Sequence, residues 1–237
     1  MNEDLKRRPG EPVEVLRGLW AWSARHPEWH PGEFGALVVS WALDAGDVAL
    51  VVDPLIPRDD PEPAAALINR LAALHGRVAV LITIPYHARS SEAVRDRLGS
   101  QGVRVTIHGH ARCRKRLRSA EGFEEVVPGA ELPGGAVAHA IGRPRRSEAP
   151  LHLPSHDAVA FGDAIVGTGE GLRMWTTKRE VDERAVRFHR ERLAPTIAPL
   201  ADLRPANVLV GHGPSAFGDG ADQLDRALAS PPWYHRG

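Results

Sequence analysis

The chain has a single cysteine, no long apolar run and no excess of charge of either sign. Cys113 stands alone among 237 residues, so an intramolecular disulfide and a four-cysteine zinc site are both excluded. Thirty basic residues balance thirty acidic ones, which gives no global electrostatic reason to expect nucleic acid or an anionic membrane as a partner. No stretch approaches the length of a membrane span.

The composition, 43% hydrophobic and 25% charged, is typical of a globular protein. The first residues carry charge but no apolar segment of the kind that a signal peptide needs, so we expect a cytoplasmic location. Residues 1–12 predict a flexible tail. Residues 13–237 contain no linker, repeat or low-complexity segment and predict one domain. The sequence does not indicate the oligomeric state.

Strand-like and helical segments alternate in the first half. Two apolar runs joined by the turn Asp44-Ala45-Gly46 predict a β-hairpin that Pro54 ends. Strands linked by helical crossovers indicate an α/β sheet. The second half predicts an antiparallel meander over 123–168 and a long helix over 178–203 that is interrupted at Pro195 and Pro199. The other predicted elements are strands over 35–43, 47–55, 78–82, 103–109 and 207–214 and helices over 59–76, 90–102 and 221–230.

Four stretches, in this order, resemble the metallo-β-lactamase superfamily. "VVDPLIP" (51–57) is similar to the family's strand that ends in an aspartate turn, and "LITIPYHARS" (81–90) stands where a strand leads into the HxHxDH metal loop. "AVAFGDAIVG" (158–167) resembles the strand ending in the metal-bridging aspartate, and "VLVGHGP" (208–214) the strand ending in the last metal-binding histidine. The resemblance implies a four-layer αββα sandwich with two mixed β-sheets.

The metal loop departs from the family pattern. Aligned on Thr83, the positions of the four family ligands hold Ile84, Tyr86, Ala88 and Arg89. Around residues 143–151, where the resemblance implies a further histidine, Glu148 is the nearest candidate, so Asp163 and His212 are the ligands that remain. A catalytic zinc needs about three protein ligands and an open position, so we expect no metal cofactor. We expect the Arg89 guanidinium to pair with Asp163 instead.

The resemblance places the functional residues in the pocket that the metals would occupy. The candidate catalytic residues are Tyr86, His87, Arg89, Asp163 and His212, and Glu148 is a candidate substrate-binding residue. Trp20 and Trp22 are candidate substrate-binding residues for a different reason: they belong to a tryptophan-rich stretch that suits the wall of a ligand pocket. For several of them a structural role is the alternative: a loop contact for His87, a loop anchor for Tyr86, and a small core for the tryptophans. Asp53 is expected to orient the neighbouring loop.

A rival metal motif lies in residues 106–118, where His108, His110 and Cys113 have ligand chemistry. It lies one helix and one strand after the place that the resemblance gives to the metal loop, which argues against it.

Three functions are compatible with these residues. The first is a metal-depleted protein whose pocket binds a small molecule or acts on it without metal. The second is a hydrolase with one weakly held metal, such as zinc, on Asp163, His212 and either His87 or Glu148. The third is a scaffold or interaction protein without catalysis. Neither the ligand nor whether the chain is an enzyme follows from the sequence.

Overall fold

The first half of the chain forms the first of two large sheets. The computed structural model describes residues 8–27 and 35–234. In spatial order the seven strands of the first sheet are β1 (Val13–Leu16), β2 (Leu19–Arg25), β3 (Leu37–Asp44), β4 (Ala49–Val52), β5 (Arg77–Ile82), β6 (Arg104–Gly109) and β7 (Phe123–Glu125). Neighbouring strands up to β4 are antiparallel and those from β4 onward are parallel, so the sheet is mixed. Helices α1 (Glu62–His75) and α2 (Ser91–Gly99) make the crossovers on either side of β5.

The second large sheet has five strands and is also mixed. Its strands are β8 (Val137–Ala138), β9 (Leu151–Leu153), β10 (Ala158–Phe161), β13 (Asn207–Val210) and β14 (Ala216–Phe217). Their spatial order is β14-β13-β10-β9-β8, with β10 and β13 parallel. The remaining elements are the hairpin of β11 (Ile165–Thr168) and β12 (Gly171–Met174) and the helices α3 (Glu183–Arg192), α4 (Ala194–Ala201) and α5 (Gly220–Ala229).

Alternate residues of the inner strands face two different layers, as the two-residue period of a β-strand requires. In β4, Leu50 and Val52 join the apolar core between the two sheets, whereas Ala49 and Val51 pack beneath α1 and α2. The second sheet packs its outer face against α4 and α5. Because both faces of these sheets are buried, the inner strands have unbroken apolar sequences. The predicted αββα sandwich with two mixed sheets is confirmed.

Two predicted elements need correction. The segment beginning at Phe123 was expected in the antiparallel meander, but β7 pairs in parallel with β6 and belongs to the first sheet. Its crossover contains a short 3-10 turn, Ala111–Arg116, so the sequence shows no helical period there. The predicted long helix is two helices, α3 and α4, which meet at Leu193. Pro195 lies in the first turn of α4, and Pro199 lies inside α4 without ending it.

Parts of the expected N-terminal tail lie outside the described residues, namely 1–7. Within the described part, the Gly10 amide donates to the Ser23 carbonyl on β2. None of the helices in the described ranges combines the length and the apolar character that crossing a membrane requires.

Candidate functional site

Four loops that follow strand ends meet at one edge of the sandwich. Asp53 comes directly after β4, and residues 83–89 follow β5, which lies parallel to β4. Asp163 follows β10, and His212 follows β13, which lies parallel to β10. Since the carboxyl ends of parallel strands meet at one edge of a sheet, these loops bring their polar side chains together there.

Asp53 holds the loop after β5 in place. Its buried carboxylate accepts hydrogen bonds from the Thr83 amide (2.8 Å) and from the Thr83 hydroxyl. It also faces His87, with 2.8 Å between Asp53 Oδ2 and His87 Nδ1. The backbone at Asp53 has φ of 49°, in the left-handed region. Asp53 therefore orients this loop, as expected, and it fixes the direction of the His87 ring.

His87, Asp163 and His212 form a compact buried cluster. The Nε2 atoms of His87 and His212 each lie 3.4 Å from the same oxygen, Asp163 Oδ1. The three ligand atoms all lie within 4.8 Å of one another. Asp163 Oδ1 itself is buried and has no hydrogen-bond partner among the described residues. Two imidazole nitrogens thus converge on a carboxylate oxygen at a separation longer than the usual 2.7–3.2 Å of an N–H···O bond.

Burial and neighbouring charges shift the pKa values of these three groups in different directions. Burial and Arg89 lower the pKa of His87, but the Asp53 and Asp163 carboxylates outweigh them and the net shift is upward. Burial lowers the pKa of His212, and Asp163 offsets only part of that. Burial would raise the pKa of Asp163, but the two imidazoles hold it well below its usual range. Asp163 is therefore a carboxylate, the form that binds cations.

The expected ion pair between Arg89 and Asp163 is not formed. Arg145 makes it instead, with 3.3 Å between its Nη1 and Asp163 Oδ2, and its guanidinium stacks 4.2 Å from the centre of the Trp175 ring. The 3-10 turn Pro85–Ala88 turns His87 inward, and its ring takes the place beside Asp163.

Arg89 nevertheless adds a positive charge to this region. Its Nε and Nη1 are buried without hydrogen-bond partners among the described residues, and its φ is 28°. Burial lowers the pKa of Arg89, while Asp53 and Asp163 act in the opposite direction. The Arg89 guanidinium therefore acts on Asp53 and Asp163 through its electrostatic field.

Glu148 supports the loop that carries Asp163. Its Oε1 accepts the amides of Gly162, Asp163 and Ala164 at 3.0, 3.2 and 3.1 Å. Its Oε2 is buried and finds no hydrogen-bond partner in the described part of the chain. Burial and the nearby Asp163 raise the pKa of Glu148 to about 7, although Arg145 opposes them. Because Glu148 binds the loop amides, it is not one of the three converging ligands. Its pKa of about 7 means that it gains or loses a proton near neutral pH.

This pKa makes the stability of the metal-free protein depend on pH through Glu148. The pKa of Glu148 in the folded protein, about 7, lies above its ordinary value of 4.5. As the pH rises, Glu148 therefore ionises in the unfolded chain first, and the free energy of unfolding falls between about pH 4.5 and pH 7. Glu148→Gln removes this loss. We expect the difference in unfolding free energy, variant minus wild type, to grow by about 3 kcal/mol from pH 4 to pH 8. Urea unfolding across this range measures it, and a difference that does not change with pH would contradict the raised pKa.

Three candidates from the sequence lie away from this cluster. Tyr86 is 65% exposed, and its ring stacks 4.4 Å from the Arg116 guanidinium. Trp22 is fully buried in the core beneath α1, and its indole N–H donates to the Leu55 carbonyl at 2.9 Å, so it lines no accessible pocket. Trp20 packs beside the same core, 5.5 Å from the Arg70 guanidinium. The alternative of a core role fits both tryptophans.

The rival metal motif does not assemble. His108 Nε2 bonds the Thr106 hydroxyl at 2.8 Å, and His110 Nδ1 accepts the Arg112 amide. Burial raises the pKa of the Cys113 thiol to about 12, which keeps it protonated. Within the described ranges, His87, Asp163 and His212 form the one group whose geometry suits a metal ion.

No protein-family model matches the sequence, and no curated protein matches it. Solved structures do match. A metallo-beta-lactamase from Pontibacter korlensis is 14% identical with a TM-score of 0.62, and the match covers 92% of this chain and 97% of that one. The chain has the metallo-β-lactamase fold. The metallo-beta-lactamase FIM-1 from Pseudomonas aeruginosa, in its mono-zinc form, is 15% identical with a TM-score of 0.59 over 94% and 96% of the chains.

A metallo-beta-lactamase family protein from Thermus thermophilus is 16% identical with a TM-score of 0.56, over 91% of this chain and 79% of that one. At these identities the likeness shows the metallo-β-lactamase fold alone. The chemistry of the site has to be argued from the residues of this chain.

Proposed function

We propose that the chain binds one divalent metal ion of the zinc class through His87, Asp163 and His212 and uses it in a hydrolytic reaction. The observation that carries this proposal is the buried Asp163 Oδ1, which faces two imidazole nitrogens and has no hydrogen-bond partner among the described residues. A buried polar atom without a partner costs free energy unless something absent from the structure satisfies it.

The spacing supports a metal ion as that partner. Tetrahedral zinc with bonds of about 2.0–2.1 Å holds its ligand atoms about 3.3–3.4 Å apart. Asp163 Oδ1 lies 3.4 Å from each imidazole Nε2. Two imidazoles and a carboxylate are also a donor set that zinc accepts, with one position left for water.

The surroundings of His87 support the same role. A histidine that binds a metal through one nitrogen commonly donates the other N–H to a carboxylate, which fixes the ring. Asp53 Oδ2 lies 2.8 Å from His87 Nδ1, so Nε2 is the nitrogen that faces Asp163. Of the two residues that the sequence offered as a third ligand, His87 and Glu148, the proposal therefore takes His87.

A zinc-class ion held by His87, Asp163 and His212 would supply a hydroxide nucleophile at neutral pH, because such an ion lowers the pKa of a water bound to it to about 7. The chain itself supplies the surrounding charges. Arg145 contacts Asp163 Oδ2 and orients that carboxylate. Glu148, with a pKa of about 7, holds or releases a proton behind the Asp163 loop.

A metal-independent site is the second candidate, and one observation favours it. Arg89 and Arg145 place two positive charges near two buried carboxylates, Asp53 and Asp163, so the site is balanced without a metal. In this candidate His87 and His212 exchange protons with a small-molecule substrate.

Zinc titration into chelator-treated protein separates the two candidates. The metal proposal expects one zinc per chain. At a hundredfold excess over the dissociation constant, binding stabilises the fold by about 2.7 kcal/mol, or roughly 5–10 °C in melting temperature. His87→Ala and His212→Ala should lose stoichiometric binding. His110→Ala, which removes a histidine of the rival motif, and Glu148→Gln should retain it. Wild-type protein that zinc does not stabilise, or unchanged affinity in His87→Ala, would favour the metal-independent site.

A further inference from the structure

An arginine-lined groove lies beside the candidate site, on the far side of the loop that carries Arg145. This arginine groove has a volume of about 550 Å³ and is lined by Gly142, Arg143, Arg146, Phe188 and Arg192. A second groove shares Phe188 and adds two further cations, Lys178 and Arg184. Among the described residues, no acidic side chain lines either groove.

The cations that line these grooves are not held in close ion pairs with other described residues. In the part of the chain that the structure describes, none of their five cations forms an ion pair within 4.0 Å. Elsewhere the fold does pair exposed arginines: Arg204, for example, contacts Asp222 and Asp225 at 2.6 Å each. Like charges gathered without counterions raise the local potential and attract an anion.

The loop between groove and site is firmly held. The Arg145 amide donates to the Gly142 carbonyl and the Glu148 amide to the Arg145 carbonyl, each at 2.8 Å. The Gly142 amide donates to the Thr196 hydroxyl on α4 at 2.8 Å. A Cβ at Gly142 would lie 2.5 Å from the Arg192 carbonyl oxygen, so the loop packs directly on the end of α3.

This loop couples the groove to the site over a short distance. Arg145 contacts Asp163, and the next residue, Arg146, lines the groove, with their Cα atoms about 3.8 Å apart. The loop therefore joins a residue of the groove directly to the residue that contacts Asp163. Phe188, 39% exposed, offers an apolar face between the two grooves.

We infer that the arginine groove binds the phosphate group of a phosphorylated small-molecule substrate whose reacting bond lies at the His87–Asp163–His212 cluster. The planar guanidinium fork matches phosphate oxygens and can bind them in pairs, and three such forks line this one groove. The inference rests on the proposed function for the reaction, whereas phosphate binding can be measured without it.

Phenyl phosphate is the probe, titrated calorimetrically into chelator-treated protein so that no metal ion competes for it. We expect saturable binding that the double variant Arg143→Ala/Arg146→Ala weakens by about tenfold or more. Arg17→Ala is the matched control, because Arg17 lies in the β1–β2 turn, outside both grooves. It should bind the probe as the wild type does. Unchanged affinity in the double variant would overturn the inference.

Two further ligands test the chemical class. Benzoate binding as tight as that of phenyl phosphate would overturn the assignment to phosphate. A single-stranded oligonucleotide that binds more tightly than phenyl phosphate, and through the same arginines, would overturn the assignment to a small molecule.

Zinc titration of the same double variant separates this inference from the proposed function. Neither variant arginine is buried, so the variant should fold, which its melting curve checks. Retained zinc binding together with lost phenyl phosphate binding supports the groove as a separate subsite. Zinc binding in a protein that never binds phenyl phosphate would overturn the groove and leave the metal proposal standing.

Discussion

Replacing Asp53 by alanine should lower the free energy of unfolding by about 3–5 kcal/mol. The buried carboxylate accepts two hydrogen bonds from Thr83 and lies 2.8 Å from His87 Nδ1. Alanine leaves these groups without a partner in the interior, and it removes a negative charge that offsets the buried Arg89. Urea unfolding measures the loss. We also expect weaker zinc binding, by about 10–100-fold, because the His87 ring is no longer oriented.

Asp157→Ala is the matched control for this variant. Asp157 has φ of 45°, close to the 49° of Asp53, but its side chain is not buried. Alanine there meets the same left-handed backbone, at about 1–2 kcal/mol, without losing buried contacts. Equal losses in the two variants would show that backbone strain, and not the Asp53 contacts, explains the effect.

Replacing Gly213 by alanine should destabilise the protein by about 2–6 kcal/mol and displace His212. Gly213 follows His212 with φ of 76°, and a Cβ there would lie 1.9 Å from the Gly167 carbonyl oxygen. The backbone strain and the overlap each contribute about 1–3 kcal/mol. The Gly167 backbone cannot yield easily, since its amide donates to the His212 carbonyl at 2.9 Å.

Gly218→Ala shows how much of that loss is strain alone. Gly218 has φ of 83°, but no atom of the described residues lies within 4 Å of a Cβ built there. It should cost only about 1–2 kcal/mol and leave zinc binding unchanged. If Gly213→Ala is no more destabilising than Gly218→Ala in urea unfolding, the close approach to Gly167 is not a constraint in solution.

Much of the fold could be predicted because its signals are local. The hairpin of β3 and β4 turns at an Asp-Ala-Gly sequence, and α1 ends at Gly76, whose φ of 67° suits glycine. β7 was misplaced because three residues between loops carry no sign of their partner strand. Parallel pairing is decided by distant contacts, which no local pattern reports.

The candidate site could be predicted only in part. Asp163 and His212 lie just after apolar strands, so their position at the edge of the sheet follows from the pattern. The inward direction of His87 and the outward direction of Tyr86 depend on the 3-10 turn, whose geometry the sequence did not specify. His87 was a candidate from the sequence, and a signal for its inward direction was Asp53, an acidic residue at the end of a parallel neighbouring strand. Arg145 lies on a loop without periodicity, so nothing marked it as the partner of Asp163.

Anomalous diffraction at the zinc absorption edge, from crystals grown with zinc after chelator treatment, tests the proposed metal site most directly. We expect one peak within about 2.0–2.2 Å of His87 Nε2, Asp163 Oδ1 and His212 Nε2. A map without a peak at these atoms, with Asp163 Oδ1 hydrogen-bonded to a guanidinium, would contradict the metal proposal and support the metal-independent site.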